Sequence, residues 1–216
     1  MEAFVVILLG LLAYVLGSVP SAVWIGKAYY GVDVREHGSN NAGATNTFRV
    51  LGVRAGSIVL FLDALKGATA ANLAWFIPEL YPDNERFVTY QILFGILAVV
   101  GHIFPLFAKF KGGKGIATLL GMVLALDWQL ALVCLGLFVI ILLLTRYVSL
   151  SSMISTISFP IFAVYLFHKE QPLLIAFGIT MAFLVVLMHK KNIRKLLNGE
   201  ENKANILKKH RITNTN

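Results

Sequence analysis

Long apolar runs, each close to the length that a helix needs to cross a membrane, follow one another along almost the whole chain. They lie at 3–28, 55–78, 87–108, 115–127, 128–145, 149–168 and 172–189. A membrane-spanning helix needs roughly 20 apolar residues. The residues are 57% hydrophobic and only 14% charged, whereas roughly a quarter of a soluble domain is charged. The sequence therefore predicts an all-α, polytopic membrane protein.

The stretch from 115 to 145 decides the number of helices. As a single helix it would have about 31 residues at ~1.5 Å each, which greatly exceeds a bilayer core. Asp127, Trp128 and Gln129 supply a polar, interfacial break in it. We therefore predict two helices here, the first of them short, and seven transmembrane helices in all. A five-helix arrangement would have to discard two apolar runs.

Lysine and arginine are concentrated in alternate connections. Those at 27–54, 109–114 and 146–148 and the tail are basic, whereas those at 79–86, 127–129 and 168–171 are poorer in basic residues. The positive-inside rule then places the basic connections and the C-terminus in the cytoplasm and the N-terminus outside. The first run is too long for a signal peptide and lacks a basic start, so we expect a retained span. We predict one transmembrane catalytic domain at 1–198 and a short basic cytoplasmic tail at 199–216.

The first basic connection contains a long polar segment that ends at Arg49. It is rich in hydroxyl and amide side chains, among them Ser39, Asn41, Thr45 and Asn46. Ser39 or Thr45 is expected to cap a short helix that starts near Ala42. A helix start beside hydroxyls and an arginine binds anions, because its N–H groups point outward and arginine holds phosphate through two parallel hydrogen bonds. An ordinary polar loop is the alternative, but most connections have only about 4–6 residues.

A second candidate site is the loop Lys109–Gly115, with three lysines and three glycines between two apolar runs. It is not a Walker loop, since Ala108 and Gly115 stand where glycine and Ser or Thr are required. We predict a phosphate grip at the membrane edge. Lys114 would supply charge, the N–H groups of Gly112 to Ile116 would be donors, and Thr118 follows in the next helix. A basic hinge that obeys the inside rule is the alternative, although one lysine would suffice for that.

The third candidate lies at the end of the last run. His189 and Asn192 are three residues apart, so a helix would place them on one face. Together they could orient a hydroxyl and accept its proton, although a solvated interfacial histidine is the alternative. The basic residues that follow are predicted to contact lipid headgroups.

Ionisable residues also occur inside the apolar runs. Asp63 and Lys66 would lie at membrane depth, where we predict a structural ion pair rather than a substrate contact. His102 either donates to a loop backbone or contacts substrate, and the sequence leaves both open. Pro20, flanked by serines, predicts a kink in the first run.

These segments together resemble the bacterial acyl-phosphate:glycerol-3-phosphate acyltransferase family of the PlsY type. The family's first motif looks like Gly38 to Arg49, its second like Gly101–Pro105 with Phe110–Thr118, and its third like His189–Ile193 with Leu196–Glu201. The Asp-x-x-Lys-Gly of its second helix is similar to residues 63–67. One departure is Asn40, where the family has glycine. Because asparagine is the next most tolerant residue of left-handed geometry, we expect the turn to persist.

The resemblance implies transfer of a fatty acyl group from acyl phosphate to the 1-hydroxyl of glycerol 3-phosphate, which yields lysophosphatidic acid and phosphate. By family matching, the catalytic set is Ser39, Arg49, Lys114, His189 and Asn192. The expected substrate-binding residues are Asn41, Thr45, Asn46, Gly112, Gly113, Gly115 and Thr118. Structural residues near the site would be His102, Asp63, Lys66 and Glu201.

The resemblance also implies a site that faces the cytoplasm in the inner membrane of a bacterial cell, with membrane lipids and an enzyme that supplies acyl phosphate as partners. Neither a cofactor, a metal nor a nucleic acid is expected. Two other classes of function fit the sequence less well. A phosphate-compound transporter would usually carry internal repeats and a site at mid-membrane, and a lipid-binding scaffold would not explain the polar segment around Ser39.

Overall fold

The computed structural model describes residues 2–78, 80–81 and 85–204. Within these residues every regular element is a helix, and each of the seven apolar runs contains one. The α-helices are α1 (Glu2–Gly17), α2 (Ser21–Tyr30), α3 (Ala44–Leu51), α4 (Val53–Ala71), α5 (Glu85–Ile103), α6 (Ile116–Leu126), α7 (Trp128–Thr145), α8 (Val148–Tyr165), α9 (Pro172–Met188) and α10 (Lys190–Leu197). Short 3-10 helices lie at Val34–Glu36, Asn72–Phe76 and Leu106–Ala108. Part of the 79–86 connection and the tail beyond Ala204 lie outside the described residues.

Four continuous helical segments are long and apolar enough to cross a membrane, namely Val53–Phe76, Glu85–Ala108, Trp128–Thr145 and Val148–Tyr165. Two bent pairs, α1 with α2 at 41° and α9 with α10 at 61°, raise the number of candidate spans in the described residues to six. The predicted seventh span depends on α6, whose 11 residues cover only about 17 Å at ~1.5 Å each.

Two helix breaks follow from local chemistry, and both were predicted. Between α1 and α2, Pro20 has no N–H to donate, and the Ser18 hydroxyl donates to the Tyr14 carbonyl at 2.8 Å. Between α6 and α7, the Asp127 carboxylate accepts from the Leu130 N–H at 3.0 Å and caps α7.

The bundle is built on close contacts between α4 and α6. Gly67 lies against the Thr118 carbonyl and Gly121 against the Ala64 carbonyl, so that neither position has room for a Cβ atom. Buried apolar side chains form one core among α5 to α9 and another among α1, the end of α4 and α5. At one end of this bundle, the loops that precede α3 and α6 and the bend between α9 and α10 come together.

Candidate active site

The polar segment before α3 is organised by one buried amide. Asn46 is only 1% exposed. Its Oδ1 accepts from the Ser39 N–H at 2.8 Å, while its Nδ2 donates to the Val34 carbonyl at 2.7 Å and the His37 carbonyl at 3.0 Å. The Asn46 side-chain amide is therefore fully engaged with the backbone of the loop. Asn46 as a substrate contact stays a prediction, and the role that its contacts define is to fold the loop.

Two expectations about this segment have different outcomes. Asn40 has φ 56°, in the left-handed region, so the turn with asparagine in place of glycine is confirmed. The short helix expected near Ala42 is present, but the expected cap by Ser39 or Thr45 is wrong. The helix α3 begins at Ala44, and its N-cap is Gly43, which has no side chain to donate or accept.

The side chains around the start of α3 form the polar edge of the site. Ser39 and Thr45 are exposed, and Asn41 and Arg49 are half-buried. Thr45 and Arg49 lie one turn apart on the same face of α3. Thr45 is in the first turn of the eight-residue α3 and Arg49 in its last, so the segment presents a hydroxyl and an arginine along one face of a short helix.

The glycine–lysine loop is fixed by backbone hydrogen bonds to the end of α5. The Gly112 N–H donates to the Ile103 carbonyl and the Gly113 N–H to the His102 carbonyl, both at 3.2 Å. The expectation that these two amides are phosphate donors is therefore wrong, because they are engaged in holding the loop. A Cβ atom at Gly113 would collide with the His102 ring and come within 2.9 Å of the Ala42 carbonyl. This contact also joins the loop to the polar segment before α3.

Lys114 links the loop to the third candidate segment. Its ammonium group hydrogen-bonds the Asn192 Oδ1. The Glu201 carboxylate accepts from both the Asn192 amide and the Ser149 hydroxyl, each at 2.7 Å. Burial lowers the pKa of Lys114 to about 8, and the Glu201 charge opposes that shift. A chain of polar contacts thus runs from α8 through the segment after α10 to Lys114.

His189 lies at the bend where α9 ends, not within a continuous helix. The expectation that His189 and Asn192 share one helix face is wrong, because α10 begins only at Lys190 after a turn of 61°. The His189 ring is buried, with its Nδ1 2.7 Å from the Val185 carbonyl. A carbonyl can only accept, so Nδ1 carries a proton and the neutral ring has its lone pair on Nε2.

Beneath the loop lies a buried polar cluster. The Lys66 ammonium pairs with the Asp63 carboxylate at 2.9 Å and donates to the Val19 carbonyl at 2.8 Å, which confirms the structural ion pair. His102 Nδ1 lies 3.1 Å from the Thr118 hydroxyl and 3.6 Å from Asp63. Thr118 is fully buried, so a direct substrate contact by Thr118 stays a prediction. The His102 ring lies against Gly113 of the loop, and a substrate contact by this ring stays a prediction.

An apolar cleft opens beside Lys114 and Gly115. It has a cavity volume of about 90 Å³. Its walls come from α5, α6 and α9 and include Ile96, Val99, Leu119, Met181 and Leu184. Leu184 is 41% exposed, so the cleft is open along its side. A cation at the mouth of an apolar, laterally open cleft suits an amphipathic substrate with an anionic head.

Sequence reasoning missed two residues of this arrangement. Ser149 holds Glu201, and Arg35 joins the two loops by donating to the carbonyls of Ala108 and Lys111. Both act across long distances in the sequence. The only local sequence signal for the role of Arg35 was Asp33, two residues before it, and this spacing also occurs in ordinary surface turns. Among the described residues, no group of three metal-binding side chains is present.

Comparison with known proteins gives consistent matches over this whole region. A family profile described as glycerol-3-phosphate acyltransferase matches residues 7–199. The glycerol-3-phosphate acyltransferase of Listeria monocytogenes is 46% identical over 197 residues, which cover 91% of this chain and 96% of the relative. That of Salinibacter ruber is 42% identical over 203 residues, which cover 88% and 89%.

Two solved structures share the fold. Both are crystal structures of PlsY, an integral membrane glycerol 3-phosphate acyltransferase. The glycerol 3-phosphate form has a TM-score of 0.82 and 37% identity, with 92% of this chain and 95% of that chain covered. The lysophosphatidic acid form has a TM-score of 0.78 and 36% identity, with 92% and 94% covered.

Proposed function

Because this chain belongs to the glycerol-3-phosphate acyltransferase family and is an acyltransferase, we propose that it acylates the 1-hydroxyl of glycerol 3-phosphate with acyl phosphate as donor. The products are lysophosphatidic acid and phosphate, in the first acylation step of phospholipid synthesis. One observation carries the proposal. Lys114, at the mouth of the apolar cleft, contacts Asn192 and so brings together a cation, a polar positioning group and an apolar groove.

Acyl phosphate is a mixed anhydride with a good leaving group, so direct attack suffices and no acyl-enzyme is required. The glycerol 1-oxygen forms a bond to the acyl carbonyl carbon, and the bond between that carbon and the phosphate oxygen breaks. The electron pair of the broken bond leaves on phosphate. The hydroxyl proton goes either to Nε2 of His189 or to an oxygen of the acyl phosphate itself.

The charged residues have roles that fit this step. Lys114 and Arg49 neutralise phosphate charge as the leaving group departs, and Ser39 and Asn192 position the reactants. In the structure the Lys114 ammonium is held by Asn192. The substrate phosphate would therefore bind an ammonium group whose position is already fixed by Asn192. Glu201 in turn holds Asn192 in place. The first-turn N–H groups of α6, which have no acceptor within that helix, are further donors.

The same proposal includes the membrane arrangement. Seven spans, with the short α6 among them, place the N-terminus outside and the site on the cytoplasmic side of the bacterial inner membrane. The loops that meet at the site carry the basic residues, which supports this orientation. Acyl phosphate is hydrolytically labile, so an enzyme that supplies it is the expected partner.

Purified protein, mixed with palmitoyl phosphate and glycerol 3-phosphate, should release phosphate and form one lysophosphatidic acid for each phosphate released. Palmitoyl-coenzyme A replaces the donor in a parallel reaction, since it lacks the leaving phosphate. Lys114→Gln should reduce phosphate release, whereas Lys109→Gln, at an exposed lysine of the same loop, should not. Equal activity with palmitoyl-coenzyme A, or phosphate release without lysophosphatidic acid, would contradict the proposed donor and acceptor.

A further inference from the structure

The turn Ala108–Lys111, at the start of the glycine–lysine loop, has an unfavourable backbone conformation. Lys109 and Phe110 have φ values of 55° and 57°, both left-handed, and the Lys111 N–H donates to the Ala108 carbonyl at 3.2 Å. Turns with two left-handed central residues normally contain Asn-Gly or similar pairs. For a residue with a side chain this geometry lowers the population roughly tenfold. The turn therefore needs support from outside its own four residues.

Arg35 provides that support from the other loop. Its NH1 donates to the Ala108 carbonyl at 2.9 Å and lies 3.4 Å from the Lys111 carbonyl, one on each side of the two left-handed residues. Its Nε and NH2 donate to the two carboxylate oxygens of Asp33 at 3.0 and 2.7 Å. Asp33 is only 9% exposed. The guanidinium is thus held by a buried carboxylate on one side and spans the turn on the other.

Other features of the pair agree with a fixed clamp. The hydrogen bonds from Arg35 hold the pKa of Asp33 well below its usual range, so the carboxylate stays charged at physiological pH. Asp33 also accepts from the Arg35 N–H at 3.0 Å and begins the short helix Val34–Glu36. Lys27 reaches the same carboxylate at 3.2 Å, but its side chain is 58% exposed.

We infer that Arg35 is a positioning residue, which locks the Lys109–Gly115 loop onto the segment that carries Ser39 and Arg49. This inference rests on the proposed function, because it explains how the two phosphate-binding cations, Arg49 and Lys114, are kept in register. A displacement of about 1 Å at a reacting group costs on the order of 100-fold in rate. A planar fork with several donors can hold the carboxylate and the carbonyls at once, whereas a lysine ammonium cannot.

Steady-state kinetics of Arg35→Lys and Arg35→Gln test the positioning role. Lys27→Gln is the control, because it also removes one positive charge that pairs with Asp33. If the competent loop is about tenfold less populated, the apparent affinity falls by the same factor. We expect KM for glycerol 3-phosphate to rise about tenfold in both Arg35 variants. Saturating substrate pulls the loop back into place, so kcat should stay within about twofold. Lys27→Gln should behave like the wild type.

A second measurement does not depend on activity. Lys109 and Lys111 are exposed in the loop, and Lys190 and Lys191 are exposed on α10. Trypsin cuts such sites in proportion to how often they open. Cleavage after Lys109 and Lys111 should become about tenfold faster in both Arg35 variants, while cleavage after Lys190 and Lys191 stays unchanged and serves as the internal control for global unfolding.

The outcomes are separable. Unchanged loop cleavage in the Arg35 variants would overturn the clamp, and faster cleavage with an unchanged KM would overturn its role in positioning. Wild-type activity restored by Arg35→Lys would show that charge alone is enough, which also overturns it. If the wild-type protein transfers no acyl group, the proposed function fails, and the cleavage ratio still decides whether Arg35 holds the loop.

Discussion

Lys114 is the residue at which the glycine–lysine loop meets the segment after α9. Its ammonium group hydrogen-bonds Asn192, and burial lowers its pKa to about 8. A lysine carries its charge below its pKa, so the cation that we propose binds phosphate disappears as the pH rises above that value. The phosphate of glycerol 3-phosphate ionises for the second time near pH ~6, and the substrate charge is therefore constant in this range.

We predict that kcat/KM for glycerol 3-phosphate falls above pH 8 and approaches a tenfold loss for each further pH unit. Lys114→Arg keeps its charge at every pH tested, so that variant should be less active at neutral pH but should lack the alkaline fall. Initial rates of phosphate release between pH 6 and 10 check this prediction. Lys109→Arg, in the same loop but exposed, is the control. An alkaline fall of the same midpoint in Lys114→Arg would assign it to another group.

His189 is buried at the end of α9, and its Nδ1 is committed to the Val185 carbonyl. The ring is therefore oriented with Nε2 as its acceptor. If Nε2 takes the hydroxyl proton, His189→Gln should lower kcat at least about 100-fold, since a general base contributes roughly 100- to 10,000-fold, and should remove the acidic limb of the pH profile. Nearly full turnover with an unshifted profile would instead assign the proton to the acyl phosphate oxygen.

At the scale of single elements, the loop and the end of α5 form one packed unit. His102 contributes both its carbonyl, which accepts from Gly113, and its ring, which lies against the same glycine. We predict that Gly113→Ala lowers kcat/KM tenfold or more, since a methyl group there must push the loop away from the ring, and ~1 Å of displacement costs on the order of 100-fold.

Gly136→Ala is the matched control, because a Cβ atom at Gly136 in α7 meets no atom within 4 Å. It should leave activity unchanged and raise thermal stability slightly, since alanine favours a helix over glycine by about 0.5–1 kcal/mol. Phosphate-release kinetics and thermal unfolding in detergent make the comparison. A Gly113→Ala enzyme with normal kinetics would show that the loop position does not matter.

Local chemistry in the sequence predicted the breaks at Pro20 and Asp127, because a missing N–H and a capping carboxylate act within one turn. Prediction from the sequence failed where the hydrogen-bond partner of a group lies in a distant part of the chain. The Gly112 and Gly113 amides were expected to bind phosphate, but the carbonyls at the end of α5 accept from them. The guanidinium of Arg35 likewise depends on partners far along the chain, the carbonyls of Ala108 and Lys111.

For the molecule as a whole, the polar end of the bundle and the apolar cleft form one continuous feature. The cleft starts at Lys114 and runs between α5 and α9. From Met188 to Met181 the wall rises by about 10 Å at ~1.5 Å per residue. Exposed Leu184 borders its open side. An acyl chain that enters at Lys114 would fill this length, and its remainder would lie among the lipids.

A large side chain in this wall should therefore affect the donor and not the acceptor. We predict that Leu184→Trp raises KM for palmitoyl phosphate about tenfold while KM for glycerol 3-phosphate stays within twofold. Leu187→Trp is the matched control, because Leu187 is similarly exposed, at 48%, on the same helix but does not line the cleft. Steady-state kinetics with each substrate varied in turn, on variants of equal thermal stability, separate the two effects. An equal rise of both KM values would mean that the tryptophan disturbs the phosphate-binding loops rather than an acyl-chain groove, and unchanged values would place the acyl chain elsewhere on the helix bundle.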